Sequence, residues 1–409
     1  MFKDIVQLLI EEGIEFIYTS RKALPLLEVP FCHPKVHIET VINEKVAYEF
    51  ALSASIVKKR SCFITGTREL CEALDPIMSS AYMGVLGPLL IVAVRDQDHD
   101  FAFLGPFSKL PLIVEGRSEK FRDAISFGMY ISEKFEIPVI VELDVLYLDK
   151  LCPISKTGSM VQTTGSFEFH KNPSRWAATP SFRYKLHKIL NEKIKSIREE
   201  FENYQGNEIR LKGTTGFISY RQSALSFFFE DFSTLYLSTV HPLPLKLVSR
   251  FLEDVDEAFV LSDPHSVIEY QICDFKEKIK PFDYQNSIKK NIHGKAETIF
   301  GYEVVRDTLG PASSINMAHG IKKTNPERRI LAITYEDHFF HSGIPAFINT
   351  LYNDSHYHLL ILAKNRVSDL KVFMEGIGFK DYYTVEKLED LKEYLTKDGL
   401  TVFIMEGSI

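Results

Sequence analysis

Two short groups of charged side chains follow neighbouring apolar segments near the end of the chain. Tyr335-Glu336-Asp337 comes directly after the predicted strand Arg329–Thr334, and Lys364-Asn365-Arg366 follows the predicted strand His358–Leu362 closely. Both segments have the length and the β-branched or apolar content of buried strands. Ligands of parallel α/β sheets bind beyond the carboxyl ends of such strands. The sequence therefore predicts a ligand site where these two groups meet.

The basic pair Lys364 and Arg366 has two alternative roles. Cationic side chains at a strand end can bind a phosphate or carboxylate directly, without a metal ion. Most charged side chains of folded proteins are exposed, so a solvated strand end is the structural alternative. The residue types alone leave both roles open.

Strand-like and helix-like segments alternate along most of the chain, which is typical of α/β units built on parallel sheets. The predicted strands are Ser61–Thr65, Leu89–Val94, Ile137–Leu143, Thr215–Ser219, Thr234–Ser238, Glu257–Leu261, Arg329–Thr334, His358–Leu362, Tyr382–Val385 and Leu400–Met405. The predicted helices are Asn43–Ser55, Leu70–Met83, Ser118–Glu133, Phe182–Tyr204, Gln222–Phe229, Leu245–Leu252, Ser266–Phe275, Ala312–Lys322, Gly343–Tyr352, Ser368–Glu375 and Glu386–Thr396. We expect a first α/β domain (residues 1–150), a linker with a charged helix (151–205), a small middle α/β domain (206–280) and a last α/β domain (281–409).

The composition excludes several classes of protein. With 48 Lys+Arg against 55 Asp+Glu the formal net charge is -7, so we expect no nucleic-acid binding driven by a basic surface. The longest stretch without a charged or strongly polar residue, Ala81–Val94, is too short to span a membrane. The five cysteines are scattered without a CxxC pair, which indicates reduced thiols in a cytoplasmic protein.

Several phrases, taken in order, resemble a known enzyme family. Four of them are Val41-Ile42-Asn43-Glu44-Lys45-Val46-Ala47, Asp75-Pro76-Ile77-Met78, Met317-Ala318-His319-Gly320 and Phe339-Phe340-His341-Ser342-Gly343-Ile344-Pro345-Ala346. Together they resemble the alpha subunit of indolepyruvate ferredoxin oxidoreductase, a thiamine-diphosphate-dependent 2-oxoacid oxidoreductase. Asn172-Pro173-Ser174-Arg175-Trp176 and His241-Pro242-Leu243-Pro244 add to the resemblance, which spans nearly the whole chain.

The resemblance implies a thiamine-diphosphate-binding fold of three α/β domains: a pyrimidine-binding-type domain, a small middle domain and a diphosphate-binding-type domain. It also implies a homodimer, with the cofactor held between the first and last domains of two chains, and a beta-type subunit or a ferredoxin as partner. A working relative decarboxylates an aryl 2-oxoacid and passes electrons through iron–sulfur clusters. Because no cysteine follows Cys273, we expect no ferredoxin-like tail and no iron–sulfur cluster in this sequence.

Glu44 is the catalytic candidate that the resemblance implies. A carboxylate against the pyrimidine ring promotes the imino tautomer that removes the thiazolium proton, and Glu44 stands at the position of the family's glutamate. From the sequence alone, a solvated helix residue is the favoured interpretation. Only the resemblance reverses that preference.

The resemblance also implies a divalent cation, held by a Gly-Asp-Ser phrase at one strand end and an Asp-Asn phrase at the next. Here the first phrase is Tyr335-Glu336-Asp337, in which the tyrosine side chain hinders a close approach of phosphate to the backbone. Lys364 takes the place of the metal-binding asparagine, and an ammonium group cannot ligate a cation. If a metal is bound, Glu336, Asp337 and Asn365 must hold it, with Asn365 displaced by one residue.

Other phrases of the family are replaced as well. Glu69-Leu70-Cys71 stands in place of a Gly-Leu-Asn phrase, and Arg21-Lys22-Ala23-Leu24 stands in place of a Pro-Gly-Thr-Pro phrase. Ser368–Gly378 continues directly into a helix where a glycine-rich loop is expected. Together these changes remove metal, phosphate and substrate contacts while the scaffold phrases remain.

The side chains that would lie near the cofactor of a working relative are His319, Tyr335, His341, Lys364 and Arg366. For the two histidines a packing role is favoured over a cofactor contact. The neighbouring pair Phe339-Phe340 is predicted to belong to the core and not to form a stacking platform.

Three functional hypotheses follow. The first is a catalytically degenerate relative that acts as a dimeric scaffold or partner-binding subunit and holds no cofactor. The second is an active, divergent 2-oxoacid oxidoreductase subunit that binds thiamine diphosphate and Mg²⁺ and uses Glu44. The third is a sensor that binds an anion or metabolite at Lys364 and Arg366.

Overall fold

In the computed structural model the chain divides into two compact units, Met1–Ser287 and Ile288–Ile409. The structure describes residues 2–20, 33–95, 101–145, 171–176, 179–221, 225, 231–261, 267–272, 275, 277–280, 298–307, 311–396 and 399–407. The Arg21–Leu24 phrase, most of the linker after Cys152 and nearly all of the predicted helix Gln222–Phe229 lie outside the described residues.

Two sheets lie in the first unit. Its described strands are β1 (Phe16–Ser20), β2 (His37–Val41), β3 (Ser61–Gly66), β4 (Leu89–Arg95), β5 (Leu112–Glu115), β6 (Val139–Asp144), β7 (Glu208–Arg210), β8 (Thr215–Ser219), β9 (Ser233–Tyr236), β10 (Thr239–His241), β11 (Glu257–Val260) and β12 (Ile279–Lys280). One sheet has the order β10-β5-β6-β4-β3-β1-β2 and the other the order β12-β11-β8-β9-β7. Neighbouring strands are parallel, except that β10 is antiparallel to β5 and β7 is antiparallel to β9.

Helices cover the sheets of this unit. They are α1 (Phe2–Glu11), α2 (Glu44–Ile56), α3 (Leu74–Met83), α4 (Leu104–Ser108), α5 (Phe121–Phe135), α6 (Pro173–Trp176), α7 (Pro180–Phe201), α8 (Leu245–Glu253) and α9 (Val267–Gln271). The helix α2 packs on β1 and β3, and α5 packs on β4, β5 and β6. The central strand β4 is buried along its whole length, as expected for a parallel strand covered on both faces.

The charged helix predicted at Phe182–Tyr204 is confirmed as α7, with Pro180 in its first turn. It packs on α3 and α5. Its buried side chains are Leu186, Leu190, Ile197 and Phe201. Ile189, which also belongs to the apolar residues of this helix, is 43% exposed, because the buried stripe runs along one narrow side of the helix.

A third sheet forms the second unit. Its described strands are β13 (Thr298–Ile299), β14 (Tyr302–Arg306), β15 (Ile330–Tyr335), β16 (His358–Ala363), β17 (Tyr382–Val385) and β18 (Thr401–Glu406), in the order β13-β14-β15-β16-β18-β17. The helices are α10 (Ser313–Thr324), α11 (Glu336–His338), α12 (Ile344–Tyr352) and α13 (Val367–Gly376). Alternate residues of the central strands enter two separate apolar clusters, one on each face of the sheet.

The predicted class, α/β with mostly parallel sheets flanked by helices, is confirmed by these three sheets. The predicted strands and most predicted helices lie within a few residues of the observed ones. The division into four segments stays a prediction, and β10, from the predicted middle domain, is hydrogen-bonded to β5 of the first sheet.

Some elements differ from the prediction. The strands β1, β2, β5, β7, β10, β12, β13 and β14 were not predicted. The α-helix predicted from Leu70 starts only at Leu74, after a 3₁₀ turn, because Pro76 has no N–H to donate to the preceding turn. The helix predicted at Glu386–Thr396 shortens to a 3₁₀ turn, in which the Asp390 carboxylate accepts the N–H groups of Glu386 and Lys387 at 3.2 and 3.1 Å.

None of the described helices is both long enough and apolar enough to cross a membrane. Of the five cysteines, Cys62 and Cys71 lie among the described residues, and neither forms a disulfide.

Candidate functional site

Glu44 is the first residue of α2, and Ile42 and Asn43 separate it from the strand β2. The side chain of Asn43 caps this helix by accepting the N–H of Val46 at 2.9 Å. Glu44 is fully buried, and the hydroxyl of Ser20, at the end of β1, donates to its carboxylate at 2.6 Å. A solvated helix residue is therefore excluded. Burial of a carboxylate is costly unless it is hydrogen-bonded, and the Ser20 hydroxyl supplies such a bond here.

Glu336 lies at the carboxyl end of β15 and is only 5% exposed. Its Oε2 accepts the backbone N–H groups of Lys364 and Arg366, both at 2.9 Å, and that of Asn365 at 3.2 Å. These three amides form the loop that leads from β16 into α13. The carboxylate therefore acts as an internal anion at the start of that helix, where unpaired amides and the helix dipole favour negative charge.

The other predicted side chains at this edge are exposed or contact neighbouring side chains. Tyr335 is 45% exposed and lies edge-to-face on His338. Lys364 is exposed. The guanidinium of Arg366 lies over the ring of Phe340, at 3.7 Å from its centre, and its Nε donates to Asp369 at 2.9 Å. The guanidinium of Arg366 is thus already engaged, which weakens the prediction of an anion site at Lys364 and Arg366.

The side chains at this edge do not match the ligands that a magnesium ion bound to a diphosphate requires. Such an ion takes oxygen ligands at about 2.0–2.1 Å in near-octahedral geometry. The Glu336 carboxylate accepts hydrogen bonds from backbone amides, and the Lys364 side chain ends in an ammonium group. Asp337 and Asn365 are both exposed. The buried carboxylate of Glu44, in contrast, fits the role that the resemblance implies for it.

The two predicted histidines each have a hydroxyl partner within the second unit. Nδ1 of His319 lies 2.6 Å from the hydroxyl of Ser355, and Nδ1 of His341 is hydrogen-bonded to the hydroxyl of Ser342. Both rings are half-buried. These contacts agree with the packing role that the sequence favours, although the role itself stays a prediction.

The two neighbouring phenylalanines differ from each other. Phe339 is fully buried and lies edge-to-face against Phe347 and Phe373, as predicted for a core residue. Phe340 is only half-buried and carries the cation of Arg366 on its face. The prediction for the pair is therefore right for Phe339 and wrong for Phe340, because the start of α13 brings a guanidinium over that ring.

One polar cluster at the same edge was not expected from the sequence. The carboxylate of Asp307 accepts the hydroxyl of Thr334 and Nδ1–H of His338, both at 2.7 Å, and the N–H of Ser314 at 3.0 Å. Burial raises the pKa of Asp307, but the hydrogen bonds from His338, Ser314 and Thr334 outweigh it, so the pKa lies below its ordinary value. Asp307 follows β14, a strand that the sequence analysis missed.

A second unexpected cluster lies in the first unit, at the carboxyl ends of β4 and β6. Arg95 donates to Asp144 at 2.9 and 3.0 Å, and Arg221 pairs with Glu142. All four side chains are buried. Charged residues at the ends of two adjacent strands would have been the sequence signal for this cluster.

Among curated proteins, the chain is similar to indolepyruvate oxidoreductase subunit IorA from three archaea. The Pyrococcus abyssi protein is 24% identical, with 80% of this chain and 67% of the relative aligned. The Pyrococcus horikoshii protein is 23% identical over 81% and 68%, and the Thermococcus kodakarensis protein 27% identical over 69% and 47%. The chain thus matches about two thirds of the length of the two Pyrococcus relatives. No protein-family model matches it.

Solved structures give weaker likenesses. The 2-oxoglutarate:ferredoxin oxidoreductase from Magnetococcus marinus has a TM-score of 0.48 at 14% identity, over 67% of this chain and 59% of that chain. A split-gene transketolase, described as an inactive beta4 tetramer, has a TM-score of 0.42 at 12% identity, over 68% and 85%.

The fold and the sequence relationship together identify the kind of protein. The three mostly parallel sheets with flanking helices define an α/β protein, as the alternation of strand-like and helix-like segments predicted. The chain is similar to the indolepyruvate oxidoreductase IorA subunits at 23–27% identity, and the resemblance inferred from the ordered phrases is confirmed.

Proposed function

We propose that this chain is a catalytically degenerate relative of the thiamine-diphosphate-dependent 2-oxoacid oxidoreductase alpha subunits. In this proposal it acts in the cytoplasm as a dimeric scaffold that binds a partner subunit, and it holds no thiamine diphosphate. The observation that carries the proposal is the Glu336 carboxylate, which accepts three successive backbone amides at the edge where the resemblance implies a metal ion.

The electrostatics of this edge support an internal anion over a metal ligand. Each hydrogen bond to a charged group contributes about 1.5–3 kcal/mol net, and three of them converge on Glu336. A divalent cation would compete with these amides for the carboxylate lone pairs. It would also approach the positive end of α13 and the neighbouring ammonium of Lys364, and both repel it.

Calorimetry tests the cofactor part of the proposal. Titration of the full chain with thiamine diphosphate and Mg²⁺ is expected to give no heat of binding up to millimolar concentrations. Micromolar binding that EDTA abolishes would contradict the proposal. The variant Glu44→Gln gives the sharper control, because any binding that it weakens must place the cofactor against the Glu44 carboxylate.

Sedimentation velocity and partner capture test the scaffold part. The chain is expected to sediment as a homodimer at micromolar concentration. Co-expression with a beta-type oxidoreductase subunit is expected to give a complex that survives gel filtration. A monomer that forms no complex with such a subunit or with a ferredoxin would contradict the scaffold role.

The buried carboxylate of Glu44 favours a second candidate function, an active and divergent 2-oxoacid oxidoreductase subunit. Glu44 is fully buried and bonded to Ser20, which is an expensive arrangement to retain without a use. This candidate predicts decarboxylation of an aryl 2-oxoacid such as indolepyruvate with a dye as electron acceptor, once the partner is supplied. Absence of turnover with each partner, or unchanged turnover in Glu44→Gln, would exclude it.

A further inference from the structure

A cavity of about 640 Å³ opens at the amino-terminal edge of the third sheet. Tyr302, Ile330 and His358, the first residues of the neighbouring strands β14, β15 and β16, line it. Glu336 and Lys364 lie at or beyond the carboxyl ends of these parallel strands. The cavity is therefore separate from the candidate site described above. Its volume lies in the range of small-molecule sites, about 300–1,000 Å³.

The described lining of this cavity is strongly cationic. Its charged members are Lys322, Arg328, Arg329 and Lys392, against the single carboxylate of Glu327. The ammonium of Lys322 donates to backbone carbonyls, including that of Arg328 at 2.8 Å, and Arg328 pairs with Glu303. No ion pair holds Arg329 or Lys392 within the part of the chain that the structure describes. These two cations are available to an anionic ligand.

Two aromatic rings stand beside these cations. Arg329 lies 5.9 Å from the centre of the Tyr302 ring, and Lys392 lies 4.6 Å from that of the Phe300 ring. Phe300 has a left-handed backbone, with φ 51°, which is unusual for a bulky residue. Together with Gly301 at φ 83° it makes the tight turn between β13 and β14. The turn thus places Phe300 at the cavity with a strained backbone. Backbone strain of this kind is often found at ligand sites.

His358 is a buried member of the lining. It is 3% exposed, and its Nε2–H donates to the carbonyl of Leu395 at 3.2 Å. Burial lowers the pKa of His358, which favours the neutral ring, and with the proton on Nε2 its Nδ1 carries a lone pair. This buried Nδ1 has no hydrogen-bond partner in the described structure.

We propose that this cavity binds a phosphorylated nucleoside. Arg329 and Lys392 would bind the phosphate groups. Phe300 and Tyr302 supply planar apolar surface for the base. A metal ion is disfavoured by the excess of positive charge, and a purely apolar ligand by the polar lining. The inference does not depend on the proposed function.

Calorimetry and thermal-shift measurements on the full chain test this site, with ADP as the probe. ADP is expected to bind and raise the unfolding temperature, whereas adenosine is expected to give no shift and inorganic phosphate a weaker one. The double variant Arg329→Gln/Lys392→Gln is expected to weaken ADP binding at least tenfold. Its matched control, Lys371→Gln/Lys380→Gln, removes two positive charges outside the cavity lining and is expected to leave binding unchanged.

Three results would overturn the assignment. Absence of ADP binding at millimolar concentration would exclude the site, and equal binding by the two double variants would place the ligand elsewhere. Equal affinity for inorganic phosphate and ADP would remove the role of the nucleoside. Because the substituted cations lie at the surface of a folded unit, loss of folding is not expected, and circular dichroism of each variant checks this.

Discussion

Removal of the negative charge from Glu336 tests the internal anion directly. Glu336→Gln keeps the length of the side chain and one acceptor oxygen, but the charge facing the amides of Lys364 and Arg366 is lost. A hydrogen bond to a charged group contributes about 1.5–3 kcal/mol and one between neutral groups about 0.5–1.5 kcal/mol. With two bonds at 2.9 Å, the loop before α13 is expected to lose about 2 kcal/mol of local stability.

Amide hydrogen exchange measures this loss where it occurs. If exchange follows local opening, about 2 kcal/mol corresponds to roughly 30-fold faster exchange at the amides of Lys364, Asn365 and Arg366. The matched control is Asp337→Asn, which removes an adjacent but exposed carboxylate and is expected to leave these rates unchanged. Unchanged exchange in Glu336→Gln, or the same acceleration in both variants, would refute the assignment of Glu336 as the anion of this loop.

Three further predictions concern stability. The hydrogen bonds to Asp307 lower its pKa below the ordinary 3.8, so the stabilisation by its carboxylate is present at neutral pH and is lost as the pH falls through the lowered pKa. The unfolding free energy of the wild type should therefore fall more steeply below pH 4 than that of Asp307→Asn. Parallel slopes of unfolding free energy against pH would contradict this. Asp144→Asn breaks a buried ion pair and should cost about 3–5 kcal/mol in urea unfolding, against less than about 1 kcal/mol for Asp75→Asn in an exposed pair. Phe347→Ala empties a fully buried position and should lower the unfolding free energy by about 3–5 kcal/mol. Tyr352→Ala changes a side chain that is 89% exposed and should stay within about 0.5 kcal/mol of the wild type. Equal urea midpoints for the two variants would contradict the assignment of Phe347 to the core.

The central strands of the sheets could be predicted because they are buried on both faces and carry nearly continuous apolar sequences. The strand β4 is the plainest case, with every residue buried. The strand β14 was missed because it lies near the sheet edge, is only partly buried, and has Glu303 and Arg306 in its sequence. Since Asp307 follows β14, the cluster of Asp307 with His338 was missed with it.

The role of Glu336 could not be predicted, for a different physical reason. Its position at a strand end was correct, but a carboxylate can face a cation or a set of amides with the same sequence around it. The amides that it accepts lie 28 to 30 positions further along the chain, and their direction depends on how the loop after β16 turns into α13. Glu44 shows the opposite case, since its burial agrees with the resemblance and not with the preference from residue type alone.

The pairing of β10 with β5 joins segments more than a hundred positions apart, with Thr239 opposite Ile113. Without β10, the N–H and C=O groups on the outer edge of β5 would be unpaired, and an unpaired flat edge strand tends to associate with other chains. A fragment that stops before residue 239 is therefore expected to aggregate when it is expressed.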